Sequence, residues 1–561
     1  MRSFLYLFIA FIQIALVSGQ QIILDESYED WENGATTYID KKNDGVSNGI
    51  DITDVKISND DINLYIYFDI NKEINIQANN NLTIFIDIDN NVSTGLSKNG
   101  IGVDLTYSFG FRSGKLYLSN ASIDVFHDQV GLVTSPTVTS SKFEMSILRS
   151  LNYGNPPLKM SNTIKLFISD ESNAGDKAPD AGAYSFNFDN SKTFEPKPIS
   201  FSKLDANDIR IVSYNVLQDN LFDPALRSNF ERIFKAIRPD IIGMCEIYSN
   251  SGAQAAALME SFLPSAANQK WYYGEAVPDI RMVSRYPITN TRNIDGNGAF
   301  QINVGGKQVL VIVAHLPCCD DETGRQAEVD KIMSFVRSVK YGISTFQLPV
   351  NSPIIIVGDM NLVGLKQQQQ TFIDGNIINN SNFGPDFTPD WDNTFLEDAK
   401  PLTSYLPFTF TWYNDYGRYS AGRLDYVFYT GSVMKLKNSF SLWSPVLPEV
   451  ALASSGLQRL DVPKASDHIP VIVDFDWSGK TDLTEDTLAQ LPFRFKQNNE
   501  QIILESESTG TITIYNTAGS LIYKGEKVDS GDFYIETDHL SGLFVFTFET
   551  KKGNFSTKFY R

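Results

Sequence analysis

The chain has 561 residues, 42% apolar and 12% aromatic, which excludes long disordered stretches and exceeds what one hydrophobic core can hold, so roughly two to four domains are expected. A formal charge of −20 excludes whole-chain attraction to nucleic acid or anionic lipid. Residues 207–476 carry 22 Lys/Arg against 29 Asp/Glu, so most of the acidity lies in the flanks and a local basic groove stays open.

In chain order, Arg2, the apolar run Phe4 to Val17 and the small residues Val17-Ser18-Gly19 have the layout of a signal peptide over 1–19. The run is too short, and too interrupted by Gln13, for a spanning helix. A secreted or cell-surface location is expected. Residues 20–197 read as a β-sandwich: Ile62 to Ile70, Leu82 to Ile88 and Val103 to Phe109 are β-rich and separated by Asn/Asp/Gly clusters. Pro196 and Pro198, near Ser200 and Ser202, mark a linker. From 207 to 477 the pattern alternates: strands at Ile209–Val216, Asp240–Cys245, Val309–Ala314, Ile354–Val357 and Ile469–Phe475, with helical spacing at Phe230, Ile233, Phe234 and Ile237 and over Thr323–Lys340. Fully apolar strands between helices indicate a layered α/β domain with covered sheets. A polar bridge, Ser478 to Leu488, leads to short strands over 490–561 (Thr511–Tyr515, Leu543–Phe548), read as a small C-terminal β-sandwich. The cysteines Cys245, Cys318 and Cys319 match no metal-binding spacing, and the sequence leaves open whether the adjacent pair is bridged.

The strand ends of the middle domain carry the chemistry. Asn215 ends the first strand, Glu246 follows the second, His315 follows Ala314, Asp359 follows Gly358 with Asn361 two residues on, Asp425 opens a strand, and Asp467-His468 precedes the last. In α/β folds such ends meet at one edge of the sheet. Phosphate ester hydrolysis needs these residue types. A hard cation, held by oxygens of Glu246, Asn215 and Asp467, would offset phosphoryl charge. Asp359 would aim a water. A histidine clamped by a carboxylate, His468 with Asp425, is fixed in one tautomer, and His315 is a second phosphate contact or proton donor. Each feature alone is weak, since an Asp after a strand is often a helix cap; six in sequence are not.

The ordered motifs Ser213-Tyr214-Asn215-Val216, Cys245-Glu246, Ser284-Arg285-Tyr286-Pro287-Ile288, Ala314-His315-Leu316, Gly358-Asp359-Met360-Asn361, Arg423-Leu424-Asp425-Tyr426 and Ser466-Asp467-His468 resemble those of the endonuclease/exonuclease/phosphatase superfamily. Deoxyribonuclease I-like enzymes, abasic-site endonucleases, sphingomyelinases and inositol-phosphate phosphatases belong to it. The resemblance implies a four-layer α/β sandwich and Mg²⁺ at Glu246, with Asn215 and Asp467 nearby; Mn²⁺ or Ca²⁺ are alternatives. It implies that Asp359 and Asn361 orient water and phosphate, and that His468 with Asp425 contacts phosphate or acts as base. The expected activity is phosphodiester hydrolysis, with DNA or RNA the favoured substrate class. A sphingomyelinase-like or phosphomonoester activity is the alternative, and a non-catalytic surface protein the third reading. Against the third, none of Glu246, Asp359, Asn361, Asp425 or His468 is missing. Two stretches bear on substrate: Phe440 to Leu447 as a membrane-touching loop or core, and the aromatic-rich Tyr405 to Tyr419 as base-stacking or packing.

In the first domain, Phe85 to Asn91, Thr94-Gly95, Gly102 and Asp104 resemble β-sandwich modules of the family 9 carbohydrate-binding and DOMON type. Asp87, Asp89 and Asp104 can bind calcium or merely stabilise a turn, and the module binds carbohydrate or acts as a spacer. The tail, with Ile514-Tyr515-Asn516, Gly519, Leu540 to Phe544 and Lys558 to Arg561, resembles the sorting domain of type IX secretion cargo, which implies the type IX secretion machinery as a partner.

Overall fold

In the computed structural model, the described residues are 21–45, 48–118, 121–415, 417–477, and the strands 493–497, 501–506, 510–516, 521–528, 531–536, 543–550 and 553–560. The expected signal peptide, the bridge 478–488 and the Leu540–Gly542 part of the tail motif lie outside them.

The N-terminal domain is two antiparallel sheets over one core. The first runs Thr36–Ile39, Asp54–Asn59, Asn63–Ile74, Ser140–Leu148, Val133–Ser135; the second contains Lys177–Ala178, Thr163–Asp170, Leu82–Asp87, Leu105–Ser108, Ser113–Leu118 and Ala121–Val125. Strand Asn63–Ile74 shows why this domain is not free-standing. Strand side chains alternate between faces. Leu64, Ile66, Phe68 and Ile70 therefore enter the domain's own core, while Tyr65 and Tyr67 point the other way and pack, with Trp31, Ile22 and Leu24, in a core shared with the middle domain.

The middle domain has two central sheets. One is ordered Tyr272–Glu275, Arg281–Ser284, Ile241–Cys245, Ile209–Asn215, Val471–Asp476, Lys435–Ser441, Leu402–Thr403. The other is ordered Ile288–Ile294, Asn297–Val304, Lys307–His315, Ile354–Asp359, Asp425–Tyr429, Glu397–Asp398. Ile211, Val471 and Val473 of one sheet meet Val311, Val313 and Val357 of the other. On the outer faces, helices Arg227–Ile237 and Gly252–Phe262 cover Val212, Tyr214 and Ile242, and helices Glu322–Lys340 and Lys366–Asp374 cover Leu310, Ile312 and Ile356. Helix, sheet, sheet and helix make four layers, which is why the strands read as unbroken apolar runs. Arg210, buried between layers, is held by Asp474 through two bonds of 2.7 Å.

The segment between Ser404 and Leu424 lies against the first domain. Leu24 N donates to Pro407 O at 2.9 Å, Thr137 Oγ1 to Arg423 O at 3.0 Å, and Ser420 N to Gln77 Oε1 at 2.9 Å. Phe408 and Phe410 are buried there, so the packing reading of this aromatic stretch holds for them. Phe440, Leu442 and Leu447 are fully buried and Trp443 nearly so. That corrects the membrane-touching alternative: this segment is core. Among the described residues, no helix is long and apolar enough to cross a membrane. The tail strands form a three-stranded and a four-stranded antiparallel sheet. All three cysteines are free, Cys245 buried and Cys318 and Cys319 exposed.

Candidate active site

Register brings the site together. Strands Lys307–His315 and Ile354–Asp359 pair in parallel with Ala314 opposite Gly358 and His315 opposite Asp359. Asp359 in turn lies opposite Asp425 on the next strand. Gly358 has φ +137°, and a Cβ there would sit 1.9 Å from Ala314 O. Only glycine allows this approach.

Asp359 is the hub. Its Oδ2 accepts from Asn215 Nδ2 at 3.0 Å and lies 3.4 Å from His468 Nε2 and 3.6 Å from His315 Nε2. Each imidazole is held from behind by another carboxylate. His468 Nδ1 donates to Asp425 Oδ2 at 2.8 Å, and His315 Nδ1 to Asp279 Oδ2 at 2.6 Å. Burial works against the charged ring of His315, but the Asp279 hydrogen bond and the charges of Asp359, Asp279 and Glu246 outweigh it and raise its pKa to about 9. His468 is likewise opposed by burial and raised by Asp425, Asp359 and Asp467. Asp425 is itself pushed up by burial and drawn back by His468, so the pair behaves as one unit biased toward imidazolium–carboxylate.

Glu246 follows strand Ile241–Cys245 in the left-handed region, at φ +63°. For a non-glycine residue this is strained backbone, held here by its surroundings. Its N–H donates to Asp279 Oδ1 at 2.8 Å, and its carboxylate accepts from Gln218 N and Asn215 Nδ2, both at 2.9 Å. Asn215 presents Nδ2 to both carboxylates while its Oδ1 accepts from Leu217 N at 3.0 Å. It therefore braces Glu246 and Asp359 rather than offering them an oxygen, because adjacent carboxylates need donors. Asn361 Nδ2 donates to Leu316 O at 2.9 Å and its N–H to Asp359 Oδ1 at 3.1 Å. Asp467 accepts from Trp412 Nε1 at 3.0 Å through Oδ2, and its buried Oδ1 has no hydrogen-bond partner.

One ligand atom each from Glu246, His315 and Asp359 lie within 4.8 Å of one another; the two carboxylates are the oxygen donors that suit a hard divalent cation, and the protonated His315 is not a ligand. Asp279 was missed from sequence. It lies in a loop before strand Arg281–Ser284, with no apolar run leading to it, and only the fold sets it behind both His315 and Glu246. In the first domain, Asp87, Asp89 and Asp104 also converge to within 4.8 Å. Turn bonds are present too: Asn91 N donates to Asp87 Oδ1 at 3.1 Å and Ile88 N to Asp104 Oδ2 at 2.9 Å.

A four-layer α/β domain with paired histidine–carboxylate dyads around a carboxylate hub is the class defined by this fold and site. Residues 212–468 match the model of the Endonuclease/Exonuclease/phosphatase family, so the chain carries a domain of that superfamily. No curated protein matches the chain. Similar solved structures include truncated TDP2 from Caenorhabditis elegans (16% identity, 48% of this chain and 98% of that one, TM-score 0.31). The human Nocturnin catalytic domain with bound sulfate is 16% identical over 48% of this chain and 95% of that one, TM-score 0.31. An AP endonuclease from Archaeoglobus fulgidus is 13% identical over 48% and 99%, TM-score 0.32.

Proposed function

We infer that the middle domain hydrolyses phosphodiesters with a divalent cation, Mg²⁺ foremost, and that nucleic acid is the substrate class. The observation that carries this reading is the placement of two imidazole Nε2 atoms within 3.6 Å of Asp359 Oδ2, each backed by its own carboxylate. Two N–H donors aimed at one point suit two phosphoryl oxygens. Glu246 and Asp359 would hold the cation, and Asp467, whose buried Oδ1 has no hydrogen-bond partner, is a further candidate ligand. When bound, the cation supplies positive charge against the phosphoryl oxygens.

The protein's own groups do the rest. Asp425 and Asp279 accept from Nδ1–H of their histidines and favour the imidazolium form, in which Nε2–H is a donor as well. His468 and His315 contact the phosphoryl oxygens, and His315, backed by Asp279, can pass its Nε2 proton to the departing oxygen. Asp359 accepts the hydrogen bond of the attacking water, and Asn215 and Asn361 keep that carboxylate in place.

Nucleic acid is favoured by a cleft of about 600 Å³ between the domains, lined by Phe126, Tyr413, Arg418, Asn152, Asp128 and Asp415. Tyr413, on the wall of this cleft, is tied to the site's Asp467 through its backbone, Tyr413 N donating to Asp467 O at 3.0 Å. Its rings and guanidinium suit stacking of bases. The segment that would have served the lipid-directed alternative as a membrane-touching loop has Phe440, Leu442, Trp443 and Leu447 buried. The leader-like residues 1–19 and the sorting-like tail support export. The test is turnover of plasmid DNA, RNA, sphingomyelin and p-nitrophenyl phosphate esters with Mg²⁺, Mn²⁺ or Ca²⁺ and with chelator. Cleavage of a nucleic acid that chelator stops and Mg²⁺ restores is expected; metal-independent turnover, or hydrolysis of monoesters or sphingomyelin alone, refutes the reading.

A further inference from the structure

The N-terminal domain holds a carboxylate cluster separate from the active site and from the Asp87 group. Asp40, Asp44 and Asp176 each present an oxygen, and these oxygens lie within 4.8 Å of one another. Asp40 follows strand Thr36–Ile39 of one sheet, Asp44 lies in the loop leading to Asp54–Asn59, and Asp176 precedes Lys177–Ala178 of the other sheet. The cluster thus spans the gap between the sheets at one end of the sandwich.

Some of these oxygens have a structural duty. Asp176 Oδ2 accepts from Ile52 N at 2.6 Å and its Oδ1 from Lys177 N at 2.7 Å. Asp51 Oδ1 accepts from Asn43 N at 2.7 Å and Asp44 N at 3.3 Å, setting the loop. Loop setting does not explain the others. Asp40 Oδ2, both oxygens of Asp44 and Asp51 Oδ2 are buried with no hydrogen-bond partner, although Asp40 and Asp51 are only 9% and 5% exposed. Buried polar atoms are ordinarily satisfied, and buried charges are paired or bound to metal. The one ion pair described there, Lys41 Nζ to Asp44 Oδ2 at 3.4 Å, comes from a side chain that is 73% exposed. It is too weak to balance several carboxylates.

The geometry points to a structural Ca²⁺ site formed by Asp40, Asp44 and Asp176, with Asp51 behind them. All-oxygen carboxylate donors on irregular loops suit Ca²⁺, which accepts six to eight oxygens in flexible geometry, whereas Zn²⁺ is mostly held by nitrogen and sulfur. Such an ion would tie the 40–53 loop to the 170–178 loop, where Asn48 Nδ2 already reaches Asp170 Oδ2 at 2.8 Å. Its role is to stabilise the domain on which the 404–424 segment rests.

The test uses the full chain, stripped with chelator and then titrated calorimetrically with Ca²⁺ in excess Mg²⁺, alongside thermal unfolding. Asp44→Asn is the decisive variant, because the Asp44 oxygens accept no backbone bond and its loss should not unfold the loop. Asp40→Asn is the companion, and Asp89→Asn and Glu246→Gln are controls. The expected result is that wild type binds one Ca²⁺ equivalent that Asp44→Asn and Asp40→Asn lose or bind at least about tenfold more weakly, while both controls keep it. The Ca²⁺-induced rise in unfolding temperature shrinks in the same two variants. Unchanged Ca²⁺ stoichiometry and affinity in Asp44→Asn, or no Ca²⁺ uptake by wild type above Mg²⁺, overturns the assignment.

Discussion

Replacing Asp279 by Asn tests whether this carboxylate sets the charge of His315. The native bond, His315 Nδ1 to Asp279 Oδ2 at 2.6 Å, joins two groups that are mostly buried, with side chains 16% and 22% exposed. A hydrogen bond to a charged partner is worth about 1.5–3 kcal/mol, and one pKa unit corresponds to about 1.4 kcal/mol. Asn removes the charge but keeps an oxygen able to accept from Glu246 N, so the backbone at φ +63° retains its support. The His315 pKa, raised to about 9 in the native protein, should fall by about one to two units in metal-free protein. Isotope-detected histidine titration by NMR, in chelator, reads this directly. A histidine whose folded value is raised stabilises the fold fully below its unfolded value of about 6.5, and that contribution is lost as pH rises through about 9. The unfolding temperature of Asp279→Asn should therefore lag wild type most below pH 6.5 and converge above pH 9. An unchanged His315 titration would refute the reasoning, whatever happened to the rate.

The dyad makes His468→Asn the informative catalytic variant, because its amide N–H can still reach buried Asp425; turnover should fall by about 10²–10⁴-fold with little change in unfolding temperature, and near-normal steady-state kinetics would remove His468 from the chemistry. Glu246→Gln should abolish Mg²⁺-supported turnover while the protein stays folded by circular dichroism; retained Mg²⁺ affinity in calorimetry would exclude Glu246 as a ligand. Trp31→Ala empties a fully buried position in the shared core and strips Glu144 of a donor at 3.0 Å. It should cost about 3–5 kcal/mol in denaturant unfolding and speed hydrogen exchange in the 404–424 segment; unaltered exchange there would mean the domains are not coupled. Glu144, fully buried, has its pKa held well above the ordinary carboxylate range by burial, so its contribution is greatest below about pH 4.5 and declines as pH rises. The stability of Glu144→Gln should consequently gain on wild type from pH 5 to pH 8 in thermal melts, and a pH-independent gap would contradict this.

Much of the layered architecture was legible because covered sheets demand apolar strands. Ile209 to Val216 and Ile354 to Val357 could be read without a partner in view, and the polar residues at or near their ends stood out. Asp279 had no such signal. Nor did the role of the Asn215 amide, whose direction depends on two carboxylates 31 and 144 residues away in the chain.

Local pattern was enough to place Asn215, Glu246, His315, Asp359, Asp425 and His468 at strand ends, since side-chain period and hydrophobic burial are written into neighbouring residues. Tertiary structure alone decided which of them touch, because register across Ala314 and Gly358 depends on a close backbone approach between distant strands. It alone also made Tyr65 and Tyr67 a domain contact. Strand alternation says that two residues point the same way; only packing says what they meet.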